Sequence, residues 1–412
     1  MCRRKPHVRP GVLHPPAATR LTPPRPAHPG SRIASHRRGD SMKLKCMIAV
    51  LALGGFTIGA AHAERVVTIA FSGPLTGPQA VSGKDDENGL RLAVETLNRT
   101  PITIDGQPVR FRIVAEDDQA DPRTGVQVAQ RLLDRQPAAF FGPENSGVAI
   151  PVARLTNAAR VPMLTVASNP QLTALGYDNV FRTGASDSVL GASMAAFAAG
   201  KLGAKTAAVI DDRTAYGQGL AEQFIAKAKS LGLQVVAREF THSQATDFLA
   251  ILATIKGKNP DVIFFGGYTA QAAPMAKQMV QRGVRARLLG GDGICSANMG
   301  TVAQTASRNV YCAMSGSGLD RTEAGRDYVA RYRARFKSEP QTYGITYYDG
   351  MLLLAKTMAS AQTTDPAKLI EALRSASHEG VAGTYAFTVR GELMNAPTTV
   401  FTFEDGQMVP VR

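Results

Sequence analysis

Short apolar runs alternate with segments of helical periodicity along almost the whole chain from Glu64 onward. The first run, Val66–Ser72, is dominated by apolar residues, as is typical of a strand buried on both faces of a parallel sheet. A Gly73-Pro74 break follows, and residues 83–98 then carry apolar side chains at helical spacing. Repetition of this unit indicates parallel strands joined by crossover helices. The sequence therefore predicts an α/β protein built on doubly wound, mostly parallel sheets flanked by helices.

The same alternation of apolar runs and helical segments begins again near Val180 and continues to Gly290. Two similar halves in succession predict two lobes, each with its own sheet of the same type. The remaining segment is too short and too rich in helical patterns for a third domain, so we expect it to cross back and complete both lobes. We therefore predict an N-terminal lobe of residues 64–186 and 316–394 and a C-terminal lobe of residues 187–315 and 395–412.

The net charge of +14 is concentrated at the N-terminus. Residues 1–63 contain eleven Lys and Arg against one acidic residue, whereas the remainder contains 36 Lys and Arg against 32 Asp and Glu. The body of the protein has no tryptophan and no basic cluster interleaved with aromatic residues. This composition argues against nucleic-acid binding.

Residues 42–63 have the form of a secretory signal peptide. Met42–Lys45 is basic, residues 46–60 are apolar, and Ala61-His62-Ala63 is a small-residue cleavage site. The apolar run is shorter than the roughly 20 residues that a spanning helix needs. We expect cleavage after Ala63 and a periplasmic location, with residues 1–41 forming a non-native or disordered extension upstream of a start at Met42.

Sequence signatures of catalysis are missing from the chain. It contains no GxGxxG after a strand, no GxxxxGK[ST], no GxSxG and no HExxH. After the signal only His242 and His378 remain among the histidines, so we expect neither an enzyme nor a metal or cofactor site. Cys295 and Cys312 also remain, and they either form a disulfide or are two buried free thiols.

A candidate anion site lies in the stretch Phe140–Thr173. Two successive strands there end in small hydroxyl residues, Ser146 and Ser168, at the start of a helix or turn. Ligands of open α/β sheets bind beyond the carboxyl ends of strands, and helix N-termini there favour anions. The two serines either are simple helix caps or form a cradle for a carboxylate.

The second half offers three candidate residues at the ends of its own strands. Tyr216 and Tyr268 are placed to wall an apolar pocket and donate hydroxyls. Asp292, flanked by glycines, is placed to accept hydrogen bonds from an ammonium group. Each of these segments, taken alone, is equally consistent with an ordinary loop that ends a strand.

The order of the motifs resembles one family. The segments SGPLTG (72–77), EDDQADP (116–122), FFGPENS (140–146), FFGGYTAQ (264–271) and YYDG (347–350) occur as in periplasmic substrate-binding proteins of branched-chain amino acid ABC transporters, the leucine/isoleucine/valine type. The resemblance implies a two-lobed type I periplasmic-binding-protein fold that closes about a hinge. It also implies a monomer that has no catalytic activity and passes an amino acid, or a similar small carboxylate, to the membrane permease subunits.

The resemblance assigns roles to individual residues. Ser146 and Ser168 occupy the positions that hold the α-carboxylate in the family, and the backbone near Val166 helps to hold the ammonium group. Asp292 occupies the acidic position that binds the ammonium from the second lobe. The family's aromatic positions are filled by Tyr216 and Tyr268.

The chain also departs from the family. Ala120 and Asn145 stand where the best-known members have a disulfide, and an aromatic residue is missing near Val81-Ser82. Asp292 replaces a longer Glu. These changes indicate a reshaped side-chain pocket. Two alternatives stay open: the same fold binding an amide, urea or an aromatic or organic acid for transport or sensing, and an α/β enzyme with a nonstandard site.

Overall fold

The computed structural model describes residues 64–316 and 318–411. The predicted N-terminal extension and signal peptide, residues 1–63, therefore lie outside the described part of the chain. No helix within the described ranges combines the length and apolar character needed to cross a membrane.

The first half of the described chain forms a six-stranded sheet. Its strands are β1 (Arg65–Gly73), β2 (Ile102–Ile104), β3 (Gln107–Asp117), β4 (Ala139–Phe141), β5 (Met163–Thr165) and β6 (Val180–Arg182). They lie in the order β2-β3-β1-β4-β5-β6. All neighbours are parallel except the antiparallel pair β2 and β3. The first apolar run of the sequence, β1, is therefore a central strand.

Helices cover both faces of this sheet. They are α1 (Ala80–Arg99), α2 (Pro122–Leu133), α3 (Ser146–Ala158) and the short α4 (Gln171–Ala174). Alternate residues of β1 point to opposite faces, so Phe71 belongs to one core and Ala70 to the other. The core on the face of Ala70 includes Val148 and Val152 of α3, which fixes the start of α3 at the end of β4.

The second half forms a seven-stranded sheet. Its strands are β7 (Thr206–Asp211), β8 (Gln234–Phe240), β9 (Val262–Gly266), β10 (Arg287–Gly290), β11 (Val310–Ser315), β14 (Thr398–Glu404) and β15 (Gln407–Pro410). Between β11 and β14 the chain also forms β12 (Ser377–Glu379) and β13 (Thr384–Ala386), which lie outside this sheet. The sheet order is β15-β14-β11-β10-β9-β7-β8. Strands β7 to β11 are parallel, and β14 and β15 join as antiparallel edge strands. The predicted α/β class with mostly parallel sheets is confirmed.

Eight further helices lie in the described part of the chain. They are α5 (Asp187–Ala196), which continues as a wider turn at Phe197–Lys201, α6 (Ala215–Ser230), α7 (Leu249–Lys258), α8 (Thr269–Gln281), α9 (Ala297–Ala303), α10 (Glu323–Phe336), α11 (Gly344–Ala361) and α12 (Pro366–Ser375). Short 3-10 turns lie at Asp292–Ile294, Gln304–Asn309 and Leu319–Arg321. Helices α5 and α6 pack on the second sheet, with Leu190 and Leu220 in one core there.

The C-terminal segment contributes to both sheets. Tyr328 of α10, Leu354 of α11 and Leu369 of α12 belong to the core of the first sheet, whereas β14 and β15 extend the second. Strand β13 pairs only with β12, in a separate two-stranded sheet. The chain thus passes between the two sheets more than once.

Candidate functional site

The carboxyl end of β4 leads into the first half of the site. Gly142 adopts a φ of +87°, and a Cβ there would lie 2.0 Å from the Ser72 carbonyl oxygen, so only glycine fits this turn. Ser146 is then the first residue of α3, and its side chain is buried. The first intrahelical bonds run from Val148 and Ala149 to the Asn145 carbonyl, at 2.9 and 2.8 Å. Ser146 therefore stands at a helix end whose leading N–H groups favour an anion.

The segment that carries Ser168 is held in place by a buried arginine. Arg182 is fully buried in β6, and its guanidinium donates to the carbonyl oxygens of Ala167 and Asn169, the latter at 3.0 Å. Its Nε also pairs with Glu392 at 2.9 Å. The backbone N–H of Asn169 donates to the Ser146 Oγ at 3.2 Å. This bond places the segment that carries Ser168 next to Ser146, as expected from the positions of the two serines at strand ends. Val166, just before Ser168 in the same segment, is also buried.

The second half of the site is a hydrogen-bonded cluster at the ends of β7, β9 and β10. The Tyr216 hydroxyl donates to Asp292 Oδ1 at 2.8 Å and accepts from the Gly293 N–H at 2.9 Å. The rings of Tyr216 and Tyr268 lie 4.9 Å apart. All three predicted side chains are buried. The cluster therefore presents one carboxylate beside an aromatic wall.

Two glycines allow this cluster to form. A Cβ on Gly217 would lie 2.4 Å from the Gly266 carbonyl oxygen, and one on Gly266 would lie 2.1 Å from the Gly217 carbonyl oxygen. The start of α6 can approach the end of β9 this closely only without side chains. Thr214 caps α6 by accepting from the Gly217 N–H at 2.9 Å. Tyr216 and Tyr268 are neighbours because of this backbone contact.

Asp292 is an ionisable group in an unusual setting. Burial raises its pKa from an ordinary 3.8 to about 6, while the hydroxyls of Tyr216 and Tyr343 oppose the shift. The side chain is therefore mostly ionised at neutral pH although it is buried. A buried carboxylate of this kind gains most from a cationic partner.

A disulfide ties the Asp292 loop to the sheet. It joins Cys295 to Cys312 of β11, with Cα atoms 5.4 Å apart. The Thr342 hydroxyl also donates to the Cys295 carbonyl oxygen at 2.9 Å. The turn that carries Asp292 is therefore anchored both to its own sheet and to the segment that leads into α11.

The two halves face each other across a cleft. The Asn169 side chain donates to the Ala215 carbonyl oxygen at 2.5 Å, and the charge of Asp292 raises the pKa of buried Asp187 in addition to the effect of burial. The Ser168 hydroxyl opposes that shift. Asp187 therefore lies near site residues of both halves. The structure thus brings Ser146, Ser168, Tyr216, Tyr268 and Asp292 to one place.

The outer part of the cleft is lined by residues from three parts of the chain. The first sheet's side contributes Gln79, Ser82 and Glu144, the second contributes Tyr268, Gly293 and Ser296, and the connection between α10 and α11 contributes Gln341, Thr342 and Tyr343. Within residues 64–316 and 318–411, no group of three or more His, Cys, Asp and Glu side chains is arranged to hold a metal ion.

Sequence reasoning missed four residues of this region. Arg182 could have been noticed as a lone charge inside an apolar strand. Glu144 and Asp187 lie at strand and helix ends but gave no distinct signal, and Tyr343 belongs to a segment remote in sequence from the other site residues. All four act through contacts that only the tertiary structure creates.

Comparison with known proteins places the chain in one group. A family model described as periplasmic binding protein matches residues 66–407. A Leu/Ile/Val-binding protein homolog of Brucella melitensis is 29% identical over 90% of this chain and 99% of its own length. An amino acid binding protein of Pseudomonas aeruginosa is 31% identical over 84% of this chain and 92% of its own.

Solved structures are similar over the same region. The leucine-binding protein of Thermotoga maritima has a TM-score of 0.77 at 27% identity, and the match covers 84% of this chain and 98% of that one. A solute-binding protein of an ABC transporter from R. palustris, in complex with benzoate, has a TM-score of 0.76 at 19% identity and covers 84% and 95%. The second likeness concerns the fold alone.

Proposed function

The chain belongs to the periplasmic binding protein family, and we propose that it captures an amino acid between its two lobes and delivers it to an ABC importer. The names of the relatives support this, since they include Leu/Ile/Val-binding and amino acid binding proteins. We propose a periplasmic, monomeric protein without catalytic activity, whose partners are the permease subunits of the importer.

The observation that carries the proposal is the opposition of unlike groups across the cleft. The start of α3 offers a hydroxyl and free backbone N–H groups, which suit a carboxylate. Asp292, hydrogen-bonded by Tyr216, offers a negative charge that suits an ammonium group. An α-amino acid carries both groups on one carbon. In this proposal Ser146 and Ser168 hold the carboxylate, and Asp292 holds the ammonium with help from the Val166 backbone.

The same arrangement explains why a ligand closes the cleft. A ligand shifts a conformational equilibrium only if it binds one state better than the other. Here the serine and Val166 contacts belong to the first lobe and the Asp292 contact to the second, so all of them are made together only when the lobes meet. Hinge closure of two domains around a ligand is general among periplasmic binding proteins.

We propose that the lobes have the boundaries expected from the sequence, residues 64–186 with 316–394 and residues 187–315 with 395–412. Two observations support these limits. Helices α10 to α12 share the core of the first sheet, and β14 and β15 extend the second.

A ligand without an ammonium group is the rival hypothesis, because a protein of the same fold is known in complex with benzoate. Such an acid satisfies the serines but leaves Asp292 buried without a cationic partner, which is unfavourable. The structure of the second half therefore favours an amino acid over an organic acid or amide.

A thermal-shift screen of the purified protein against amino acids, organic acids and amides tests the proposal. Ligands that bind the folded state raise Tm, and we expect the largest shifts from α-amino acids. The Ser146→Ala variant should lose most of the shift, and Ser230→Ala, at an exposed serine of α6, serves as the matched control. Shifts produced by organic acids or amides but by no amino acid would contradict the proposal.

A further inference from the structure

One end of the cleft is polar where an aliphatic ligand would need an apolar wall. Glu144 lies there between Pro143 and Asn145, and its side chain is almost fully buried. Its Oε1 accepts from the Ser82 hydroxyl at 2.8 Å, whereas its Oε2 has no hydrogen-bond partner among the described residues. Glu144 and Ser82 line the cleft together with Tyr268 and Tyr343. An unpartnered carboxylate oxygen therefore lies at the ligand cleft.

A second carboxyl group lies behind Glu144. Asp86 is fully buried in α1, and neither of its oxygens accepts a hydrogen bond from a described residue. Its nearest acidic neighbours are already occupied: Asp85 accepts from the Gly344 N–H at 2.7 Å, and Asp118 accepts from the Ser72 hydroxyl at 2.8 Å. Asp86 and Glu144 face each other and share a hydrogen bond when one of them is protonated, whereas both oxygens of Asp86 and Oε2 of Glu144 accept from no N–H or hydroxyl of the described residues.

No counter-ion is supplied by the described protein. The ion pairs formed within residues 64–316 and 318–411 involve other carboxylates, and none includes Asp86 or Glu144. An apolar ligand side chain would remove water from the Glu144 carboxyl without replacing its hydrogen bonds, which is costly for a buried polar group. The aromatic residue expected near Val81-Ser82 from the resemblance is also missing, and Ser82 instead binds Glu144.

We propose that this end of the cleft binds a cationic group on the ligand's side chain, with Glu144 as its direct partner, so that the captured ligand is a basic amino acid. The inference rests on the proposed function, because it assumes that the α-amino and α-carboxylate groups are held by Asp292 and the serines. A side-chain ammonium or guanidinium donates to the free Oε2 of Glu144 and supplies the charge that the site lacks.

Proton release accompanies binding of such a ligand. The groups that face Glu144 are three carboxyls and three tyrosines: Asp85, Asp86, Asp118, Tyr268, Tyr343 and Tyr347. Burial raises the pKa of Glu144 to about 8, and the charges of Asp118 and Asp85 add to the shift, while hydrogen bonds from the Ser82 hydroxyl and the Asp86 carboxyl oppose it. A bound cation favours the ionised form and lowers this pKa. Binding near pH 7 therefore releases a proton, and affinity rises with pH up to about 8.

Isothermal titration calorimetry with the wild-type protein tests the ligand class directly. The panel contains lysine, ornithine and arginine, the neutral amide glutamine, and leucine, isoleucine and valine. We expect at least one basic amino acid to bind roughly 10-fold or more tightly than glutamine and the aliphatic members, as for a hydrogen bond to a charged group. Titrations in two buffers of different ionisation enthalpy should show proton release for the basic ligand and little for leucine. Tighter binding of leucine or of glutamine than of every basic member would overturn the inference.

The Glu144→Gln variant tests the named partner. It keeps the size and the hydrogen bond to Ser82 but loses the charge, so affinity for the basic ligand should fall roughly 10- to 100-fold, with little change for leucine. Glu371→Gln, at an exposed position of α12, is the matched control and should bind as the wild type does. Circular dichroism establishes that the variant is folded, and the ranking of ligands by the wild type stands independently of it. Unchanged affinity of folded Glu144→Gln for the basic ligand would refute the role of Glu144.

The two proposals fail differently. If aliphatic amino acids bind best and Asp292→Asn weakens them, the amino-acid clamp stands and only the basic side chain is wrong. If no α-amino acid binds, the proposed function itself is wrong.

Discussion

Replacing Asp292 with asparagine should have two opposite effects, greater stability and weaker binding. The substitution keeps the size of the side chain and its ability to accept from the Tyr216 hydroxyl, which lies 2.8 Å away. It removes only the charge. Because that charge both binds the ligand and is costly in the folded protein, the two effects have the same cause.

The stability effect follows from the pKa of Asp292. Burial raises it from 3.8 to about 6 in the folded protein, a difference of about 2 pKa units, equivalent to about 3 kcal/mol. A raised carboxyl pKa means that the folded protein holds the proton more tightly than the unfolded chain. The stability that the protonated Asp292 carboxyl contributes is therefore fully present below pH 4 and is lost as pH rises through 6. At pH 7 the asparagine variant avoids this loss, with about 3 kcal/mol as the upper bound because opening of the cleft hydrates the group.

The binding effect has the opposite sign. Loss of a hydrogen bond to a charged group costs about 1.5–3 kcal/mol, which is roughly a 10- to 100-fold increase in Kd. A deaminated analogue makes no ammonium contact, so its affinity should not fall on the same substitution.

Urea unfolding of ligand-free protein at pH 4 and pH 7, together with calorimetric titration at pH 7, measures both effects. Asp405→Asn is the matched control, since that side chain is 86% exposed. An Asp292→Asn variant that is no more stable than wild type at pH 7, yet folded, would refute the burial argument. Unchanged affinity for every amino acid that the wild type binds would refute the ammonium role.

Three further effects are expected. A Cys295→Ser, Cys312→Ser double variant should lose about 3 kcal/mol of stability, as chain-entropy arithmetic gives for a loop of this length, and urea unfolding should show the same loss for reduced wild type. Arg182→Met leaves two buried carbonyl oxygens and the half-buried Glu392 carboxylate without their donor and should cost about 3–5 kcal/mol in urea unfolding. The exposed Arg308→Met should cost under about 1 kcal/mol; equal losses would contradict the role given to the buried arginine. Amino-acid affinity should weaken about tenfold per pH unit below pH 6 as Asp292 takes up its proton, and calorimetric Kd values that stay flat down to pH 5 would exclude this.

Much of the fold can be predicted from local sequence pattern. Helix α2 begins at a pattern typical of a helix start, with Asp121 as the cap accepting from the N–H groups of Arg123 and Thr124 and with Pro122 in the first turn. The strands near the C-terminus follow the local sequence pattern less closely. Residues 383–389 have a strand-like pattern, but only Thr384–Ala386 form a strand, and it pairs in the small separate sheet. Pairing partners depend on tertiary contacts that the alternation of residues does not encode.

The site shows the same division. Its anchors could be predicted because the carboxyl ends of parallel strands meet at one edge of a sheet, and the structure places Ser146 and Asp292 at such ends. The residues that hold these side chains in place could not be predicted, because they come from segments distant in sequence. Arg182 pairs with Glu392, 210 residues away, and Tyr343, in the connection between α10 and α11, reaches Asp292 only in the folded protein.

The most direct test of the clamp compares three ligands that differ by one group. The amino acid that binds best, its deaminated acid and its decarboxylated amine are titrated against wild-type protein by calorimetry. We predict that each analogue binds roughly 10-fold or more weakly than the amino acid, because each loses one charged contact. Binding of the deaminated acid as tightly as the amino acid would contradict the claim that the two lobes grip opposite charges of one ligand.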